Sequence, residues 1–474
     1  MRNCHKVQSM SILGSAWQEL SDFLEERRTT HEPMEDFSKF EKKLHELVCR
    51  VECEVIEEEL RRCDIDVPVI EVNGTRYKRV FRYEETYLSG SGEVRVERTV
   101  YRNSAGDRES LCPMELRAGI VEGYWTPRSA ELAAWSVAHL TPGESEQLFS
   151  RLGGMRPSRS SLDRLPKGLS ERWECRREQF EEALRVQEEI PGEAVTLAVS
   201  LDGVKTPMRE GGRKEKRDAA REEGKQTKGP AGYRDVGCGT ISLYDRAGDR
   251  LCTWRMARMP EKDNETLKQM LKEEVESILA ARPDLTLIKL ADGARGNWTF
   301  LSEQLPEGEE CVDFFHAAEH LHLALAVAYG ETHPKCKSQF EKLRAVLRDD
   351  IEGIDKIIHA LIYLCNKHPR RKKIKTELRY FRNNRHRMCY AELKAINLPI
   401  GSGVVEAACK TLVTQRLKRS GMRWNNAGGQ AILTLRAAAQ SDRFDRAWNL
   451  IGETYRTEVS LPAKVIPLRP RRAA

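Results

Sequence analysis

The sequence lacks the cysteine pattern of a secreted or zinc-binding protein. Its 13 cysteines are an odd number, and no two of them form a C-x-x-C pair. Disulfide-bonded secreted domains and common structural zinc sites both use regularly paired cysteines. The cysteine content therefore favours a protein of a reducing compartment.

Long apolar segments are also missing. No apolar run approaches the ~18 residues that a membrane-spanning helix requires, and no N-terminal stretch resembles a signal peptide.

Hydrophobic residues make up 40% of the chain and charged residues 32%, which is a globular composition. At 474 residues the chain is too long for one ordinary core, so we expect several folded units. We expect a soluble cytoplasmic protein with no membrane contact.

The N-terminal part is predicted to contain a helical region at 1–66 and a small β-rich module at 67–126. In the first, apolar residues recur at helical spacing, at Phe37, Phe40, Leu44, Leu47 and Val51. This stripe packs on its own protein or forms a self-associating coiled-coil face. In the second, apolar and polar residues alternate on both sides of Ser89-Gly90-Ser91-Gly92, which predicts a hairpin.

Residues 127–190 are predicted to resemble a helix-turn-helix. Thr141-Pro142-Gly143-Glu144 is a strong helix start, and short helices are predicted at 130–140, 144–152 and 158–165. Three arginines lie on or near the third helix, at positions 156, 159 and 164. The region either recognises DNA or is an ordinary helical packing unit.

From residue 191 the pattern becomes α/β. An alternating strand ends at Asp202, a hairpin follows, and two further strands end at Asp292 and near Asp313. Strands and helices in this order predict a mixed sheet, with an antiparallel start and parallel later strands. We assign the sheet core to 191–329 and 399–455, an all-helical insertion to 330–398, and a basic tail to 456–474.

Three carboxylates are candidates for one site. In this strand order the ends of the strands that carry Asp202 and Asp292 are neighbours. Glu406 shares a helical face with Lys410, Val413 and Leu417, which predicts that this face packs on the sheet. Converging carboxylates repel one another unless a cation binds them, and oxygen ligands suit Mg²⁺ or Mn²⁺. Two such ions could support displacement at phosphorus.

Two basic clusters accompany these acids. Residues 367–388 contain ten Lys or Arg and a single Glu, together with Tyr380 and Phe381. Such clusters neutralise phosphates, and aromatic rings stack on unpaired bases. A solvated helix face is the alternative. The candidate DNA-binding residues are Arg370, Arg371, Lys372, Lys373, Lys375, Lys410, Arg416, Lys418, Arg419, Arg423 and Trp424.

Four segments together resemble the DDE transposases of the ISKra group, bacterial relatives of the Mutator-type elements. They read SLDGVK, ADGARGNW, DFFHAAEHL and NLPIGSGVVEAACKTLVTQRLKRSGMRW. The resemblance covers roughly residues 110–450. It implies an RNase H-like fold split by an α-helical insertion, with Asp202, Asp292 and Glu406 as catalytic acids that bind Mg²⁺ or Mn²⁺.

The same resemblance makes Asp313 and His316 auxiliary residues of a D-x-x-H motif. The second motif departs from the group's compact D-G-A-x-W pattern, because Arg295-Gly296-Asn297 precede Trp298. Asp313 also follows a strand and is the rival for the second catalytic position.

The expected protein is a transposase that binds insertion-sequence ends and target DNA, cleaves phosphodiesters and transfers strands. We expect it to act near the nucleoid, as a homodimer or larger assembly on DNA. Two alternatives remain open: a transposon-derived DNA-binding protein without catalysis, and a structure-selective nuclease on the same fold.

Overall fold

The computed structural model describes residues 14–30, 36–103, 110–209, 213–224 and 232–462, with the backbone alone at 213–216. The chain divides into two compact units, one formed by Met1–Phe180 with Phe444–Ala474 and the other by Glu181–Arg443. Helices and strands occur in both units, so the chain is mixed α and β as predicted. Most of the predicted basic tail lies outside the described residues.

The first part of the chain contains seven helices and four strands within its described residues. They are α1 (Ser15–Thr29), α2 (Phe37–Cys63), β1 (Val69–Val72), β2 (Thr75–Ser89), β3 (Gly92–Asn103), β4 (Ser110–Leu111), α3 (Pro113–Ala118), α4 (Pro127–His139), α5 (Pro142–Leu152), α6 (Arg159–Cys175) and α7 (Arg177–Val186).

The second part begins with the strands of the predicted core. Its elements are β5 (Thr196–Pro207), α8 (Arg213–Glu222), β6 (Tyr233–Tyr244), β7 (Arg250–Arg258), α9 (Glu265–Ala281), β8 (Thr286–Ala291), α10 (Arg295–Glu303), β9 (Glu309–Val312), α11 (Phe314–Tyr329), α12 (Pro334–Asp349), α13 (Gly353–Lys367), α14 (Lys372–Asn383), α15 (Tyr390–Ala395), α16 (Gly403–Ala408), α17 (Gln415–Leu417) and α18 (Asn426–Gln440). A π-helical segment, Cys409–Thr414, joins α16 to α17.

The chain then returns to the first unit through α19 (Phe444–Glu453) and β10 (Val459–Ser460). Strand β10 pairs with β1 and completes a sheet of order β10-β1-β2-β3-β4. Strands β2 and β3 form the predicted hairpin within this sheet, since Ser89 of β2 pairs with Gly92 of β3. On α2, Leu47 is buried and the Phe40 ring stacks on Phe23 of α1. The apolar stripe of α2 therefore packs, at least in part, on its own protein.

The three predicted short helices are present as α4, α5 and α6, and the third is longer than expected. Thr141 and Glu144 form the predicted capping box at the start of α5. We predicted that the third helix ends at residue 165, but α6 continues through Pro166 to Cys175. Its buried apolar stripe, which includes Leu162 and Leu169, continues on both sides of the proline. Packing therefore outweighs the proline's cost to the helix.

The second unit is built on a mixed sheet of order β7-β6-β5-β8-β9. Strands β5, β6 and β7 are antiparallel neighbours, whereas β8 and β9 run parallel to β5. Helix α9 packs closely on one face. A β-carbon at Gly237 or Gly239 of β6 would lie 2.7 Å from the leucine side chains of α9. On the opposite face Cys238 packs with Val405 and Leu412.

The helices of the predicted insertion share the core of this sheet. Ile357 and Leu361 of α13 and Phe381 of α14 are fully buried in the same apolar cluster as Ile288 of β8. The residues between β9 and α16 are therefore a packed part of the second unit.

The close approach of α9 to β6 gives a stability prediction. We expect Gly239→Ala to lower the free energy of unfolding by about 1–3 kcal/mol, because the added methyl overlaps Leu271. Gly296→Ala is the control, since nothing lies within 4 Å of that position. Urea unfolding followed by circular dichroism measures both variants. Equal stability of Gly239→Ala and wild type would contradict the observed packing.

Candidate functional site

The sheet register brings three acids to the same level on neighbouring strands. Ser200 of β5 pairs with Leu290 of β8, and Ala291 of β8 pairs with Val312 of β9. One or two residues further along the parallel strands come Asp202, Asp292 and Asp313. We call this the acidic end of the sheet.

Asp202 lies within its strand, not at the strand end that we predicted. Strand β5 continues to Pro207 because it stays paired with β6 along its whole length, with Asp202 opposite Cys238. Strand β8 ends earlier, at Ala291. Strand β5 pairs with β8 as far as Ser200. At Asp202 the strand is therefore still paired with β6 but has passed the end of its pairing with β8.

The Asp202 carboxylate is linked to the helical region that carries Glu406. Its Oδ1 accepts a hydrogen bond from the Gly203 amide at 2.7 Å, and Cys409 Sγ donates to its Oδ2 at 3.7 Å. A hydrogen bond with Cys238, burial and the charge of Asp202 raise the pKa of the Cys409 thiol. The thiol therefore keeps its proton and acts as a donor. Cys409 lies one turn after Glu406.

The Asp292 carboxylate is held by the residues that lengthen its motif. Its Oδ1 accepts from the Ala294 amide at 3.0 Å and from Asn297 Nδ2 at 3.2 Å. The same amide nitrogen lies 3.5 Å from the carbonyl oxygen of Leu201, so Asn297 connects Asp292 to β5 beside Asp202. Trp298 Nε1 donates to the Asp292 carbonyl at 2.6 Å. The first turn of α10 thus returns Trp298 to Asp292 despite the longer spacing.

Sequence reasoning did not select Asn297 or Cys409. Neither residue type is distinctive, and both act through neighbours that only the fold brings close. The available signal was position: Asn297 falls inside the ADGARGNW motif and Cys409 one turn beyond Glu406.

Asp313 has the contacts of a residue that stabilises the fold. It is fully buried and caps α11, accepting from the His316 amide at 2.7 Å. Its other carboxylate oxygen accepts from the Ser402 hydroxyl at 2.8 Å and from the Ser402 amide. Both oxygens are therefore occupied. Among the two candidates for the second position, these contacts favour Asp292.

Glu406 is exposed, so the prediction that its helix face packs on the sheet was wrong. Spacings of seven and eleven share a face only in a regular α-helix. The π-helical turn at Cys409–Thr414 rotates the following residues, so that Val413 and Leu417 face the core while Glu406 does not. Its Oε1 lies 3.4 Å from the Ser402 hydroxyl, which also bonds Asp313.

The donor chemistry of Asp202, Asp292 and Glu406 suits a hard divalent cation, because all three offer carboxylate oxygens. Asp202 and Asp292 are neighbours by register, whereas Glu406 contacts Ser402, which is bonded to Asp313. Within the described ranges, no three His, Cys, Asp or Glu side chains are grouped closely enough to hold a metal ion. The residue types fit Mg²⁺, but the three carboxylates are not gathered around one point.

The basic cluster at 367–388 forms an exposed stripe on α14. Lys372, Lys375, Arg379 and Arg382 recur at steps of three and four and are exposed. Arg370 and Lys373 are exposed beside them, and Arg371 donates to the Ala328 carbonyl at the end of α11. Phe381 is fully buried, so it does not offer a ring to unpaired bases.

The second basic cluster divides into exposed and buried members. Lys410, Lys418, Arg419 and Arg423 are exposed. The Arg416 side chain is 2% exposed, which removes it from direct DNA contact in this structure.

Trp424 has a packing role in the structure. Its amide donates to the Pro207 carbonyl at 3.1 Å, and its indole Nε1 donates to the Leu417 carbonyl at 2.9 Å. These bonds fasten the segment after α17 to the end of β5. The predicted role of this residue in base stacking therefore has no support in these contacts.

Comparison with known proteins adds no assignment, because no family model and no curated protein matches the chain. Over the described residues, no helix is long and apolar enough to cross a membrane.

The contacts of Asp313 give a test that separates it from the other acids. We expect Asp313→Ala to lower the free energy of unfolding by roughly 2–4 kcal/mol, because α11 loses its cap and the Ser402 donors lose their acceptor. Asp202→Ala and Asp292→Ala are the matched controls, with changes below about 1 kcal/mol. Denaturant unfolding of the three variants measures this, and a small effect at Asp313 would show that its buried contacts contribute little.

Proposed function

We propose that this protein is a DDE-type DNA transposase whose second unit is an RNase H-like catalytic core. The observation that carries this proposal is the register of β5, β8 and β9, which aligns Asp202 with Asp292. The sheet order, with three antiparallel strands followed by two parallel ones, agrees with the fold that the resemblance to ISKra-group transposases implies. That resemblance is the second support.

The proposed role of each site residue is based on its contacts. Asp202, Asp292 and Glu406 would hold Mg²⁺ or Mn²⁺, which supplies activation of a water or 3′-hydroxyl and stabilisation of the leaving oxygen. Asn297 keeps the Asp292 carboxylate oriented beside β5. Ser402 contacts both Asp313 and Glu406, and so sets the start of α16 relative to β9.

The DNA-binding part of the proposal has two supports. In the second unit, the basic stripe of α14 offers charge to phosphates. In the first unit, α4, α5 and α6 form a helical triplet, and Arg159, Asp163, Arg164 and Lys167 are exposed on α6. An exposed polar face on the third helix is what a recognition helix presents to the major groove.

The activity prediction concerns Asp202. We expect Asp202→Ala to reduce cleavage of labelled element ends by at least about 10³-fold, because it removes a metal ligand, while DNA affinity stays near that of wild type. The assay contains element ends, target DNA and Mg²⁺ or Mn²⁺. Glu303→Gln, which removes an exposed acid on α10, is the control. Cleavage retained by Asp202→Ala would overturn the assignment of this acid.

The products of the wild-type protein separate the proposal from its two alternatives. Joined products with target DNA support a transposase. Cleavage without joining indicates a nuclease on the same fold, and binding without either reaction indicates a DNA-binding protein.

The basic stripe predicts a salt-dependent affinity. We expect the triple variant Lys372→Gln, Lys375→Gln, Arg379→Gln to reduce the slope of log affinity against log salt by about 2–3, since each lost phosphate contact removes close to one unit. The control triple Arg246→Gln, Lys262→Gln, Lys337→Gln removes the same charge from exposed positions elsewhere. Fluorescence anisotropy measures both. Identical slopes for the two triples would rule out a specific phosphate role for α14.

A further inference from the structure

Tyr380 of α14 reaches the acidic end of the sheet from the helical segment. Its ring packs against the backbone at Gly293, where a built β-carbon would lie 3.1 Å from the ring carbon that bears the hydroxyl. Gly293 directly follows Asp292. The hydroxyl-bearing end of the ring therefore lies beside the backbone that directly follows Asp292.

The Tyr380 hydroxyl is buried and has no hydrogen-bond partner among the described residues. An unpaired buried hydroxyl costs about 1–3 kcal/mol, and native proteins retain few of them. Burial and the nearby charges of Asp292, Asp313, Glu377 and Glu319 raise the pKa of Tyr380. A tyrosine hydroxyl is protonated at neutral pH in any case, so it is a hydrogen-bond donor with several carboxylates nearby.

Three of these four carboxylates have other partners. Glu377 lies 2.6 Å from His320, Asp313 accepts from Ser402 and His316, and Glu319 lies 3.6 Å from His316. The hydrogen bonds to the Asp292 carboxylate both fall on Oδ1. Among the described residues nothing donates a hydrogen bond to Oδ2 of Asp292, so this oxygen can accept one.

The ring of Tyr380 is fixed in place. It stacks on His320, with 3.6 Å between ring centroids and 20° between planes, and His320 is itself held by the buried Glu377. Phe381 meets the ring edge-on at 5.5 Å. A tyrosine ring held on two sides in this way presents its hydroxyl at a fixed position.

We propose that Tyr380 is a positioning residue for Asp292: with the ion bound, its hydroxyl would donate to Oδ2 and hold the carboxylate in its metal-binding orientation. The role rests on the proposed function, because it requires Asp292 to bind the divalent ion. Hydrogen bonds to a ligating carboxylate fix its direction, and losing one costs about 10–100-fold in metal affinity or activity. The helical segment would thus contribute directly to metal binding.

The test is titration of the full-length protein with Mn²⁺ alone, followed by calorimetry or by the electron paramagnetic resonance of free Mn²⁺. We expect Tyr380→Phe to weaken Mn²⁺ binding at least about tenfold. Its metal-free melting temperature should equal or exceed that of wild type, because the variant removes an unpaired buried hydroxyl. Tyr363→Phe, at an exposed tyrosine of α13, is the matched control and should bind as wild type does.

A second readout uses DNA cleavage. The Mn²⁺ concentration for half-maximal cleavage should rise by the same factor in Tyr380→Phe, while the rate at saturating Mn²⁺ returns close to that of wild type. Wild-type affinity in Tyr380→Phe, with binding abolished in Asp292→Asn, would overturn the role of Tyr380 alone. Absence of Mn²⁺ binding in the wild type, or binding that Asp292→Asn leaves unchanged, would overturn the proposed metal site and this role with it.

Discussion

A fully buried carboxylate, that of Asp313, joins the first turn of α11 to the loop that precedes α16. Its bonds to Ser402 bring together segments that lie 89 residues apart in the chain. The amide of Phe314 strengthens the same junction by donating to the Ile400 carbonyl at 2.9 Å. Glu406 follows Ser402 by one helical turn. Its position relative to the sheet therefore depends on this junction.

This junction explains why three acids at one level of the sheet need not have one role. A carboxylate whose oxygens already accept buried donors would have to lose those bonds to bind a cation, at a cost of about 1–3 kcal/mol for each unsatisfied donor. Asp202 and Asp292 accept fewer donors and are less buried. Acids at the same level of the sheet therefore include a structural acid after β9 and candidate ligands within β5 and after β8.

The sequence was sufficient for features that depend on local periodicity. The alternating strand before Asp202, the buried strand before Asp292 and the capping box at Thr141 are local patterns, and each is found at its predicted position. The parallel order of β5, β8 and β9 followed from the intervening helices. The alignment of Asp202 with Asp292 followed from that order, although Asp202 lies within its strand and not at its end.

Features that depend on packing could not be predicted in this way. The extension of β5 to Pro207 depends on pairing with β6, and the continuation of α6 through Pro166 depends on its buried face. A π-helical turn at Cys409–Thr414 separates the exposed Glu406 from the buried Arg416. Helical periodicity assumes 3.6 residues per turn, so any argument based on it assigns the wrong face beyond such a turn.

The two faces of α14 show why the helical segment between β9 and α16 is more than a spacer. Lys372, Lys375 and Arg379 recur on its exposed side, whereas Ile374 and Phe381 are buried in the core shared with the sheet. Tyr380 lies between these faces and contacts Gly293. Since one rigid helix carries both the cationic stripe and the tyrosine beside Asp292, phosphates bound on the stripe would be held at a fixed distance from the acidic end. A flexible loop with the same residues would supply the charge without fixing that distance.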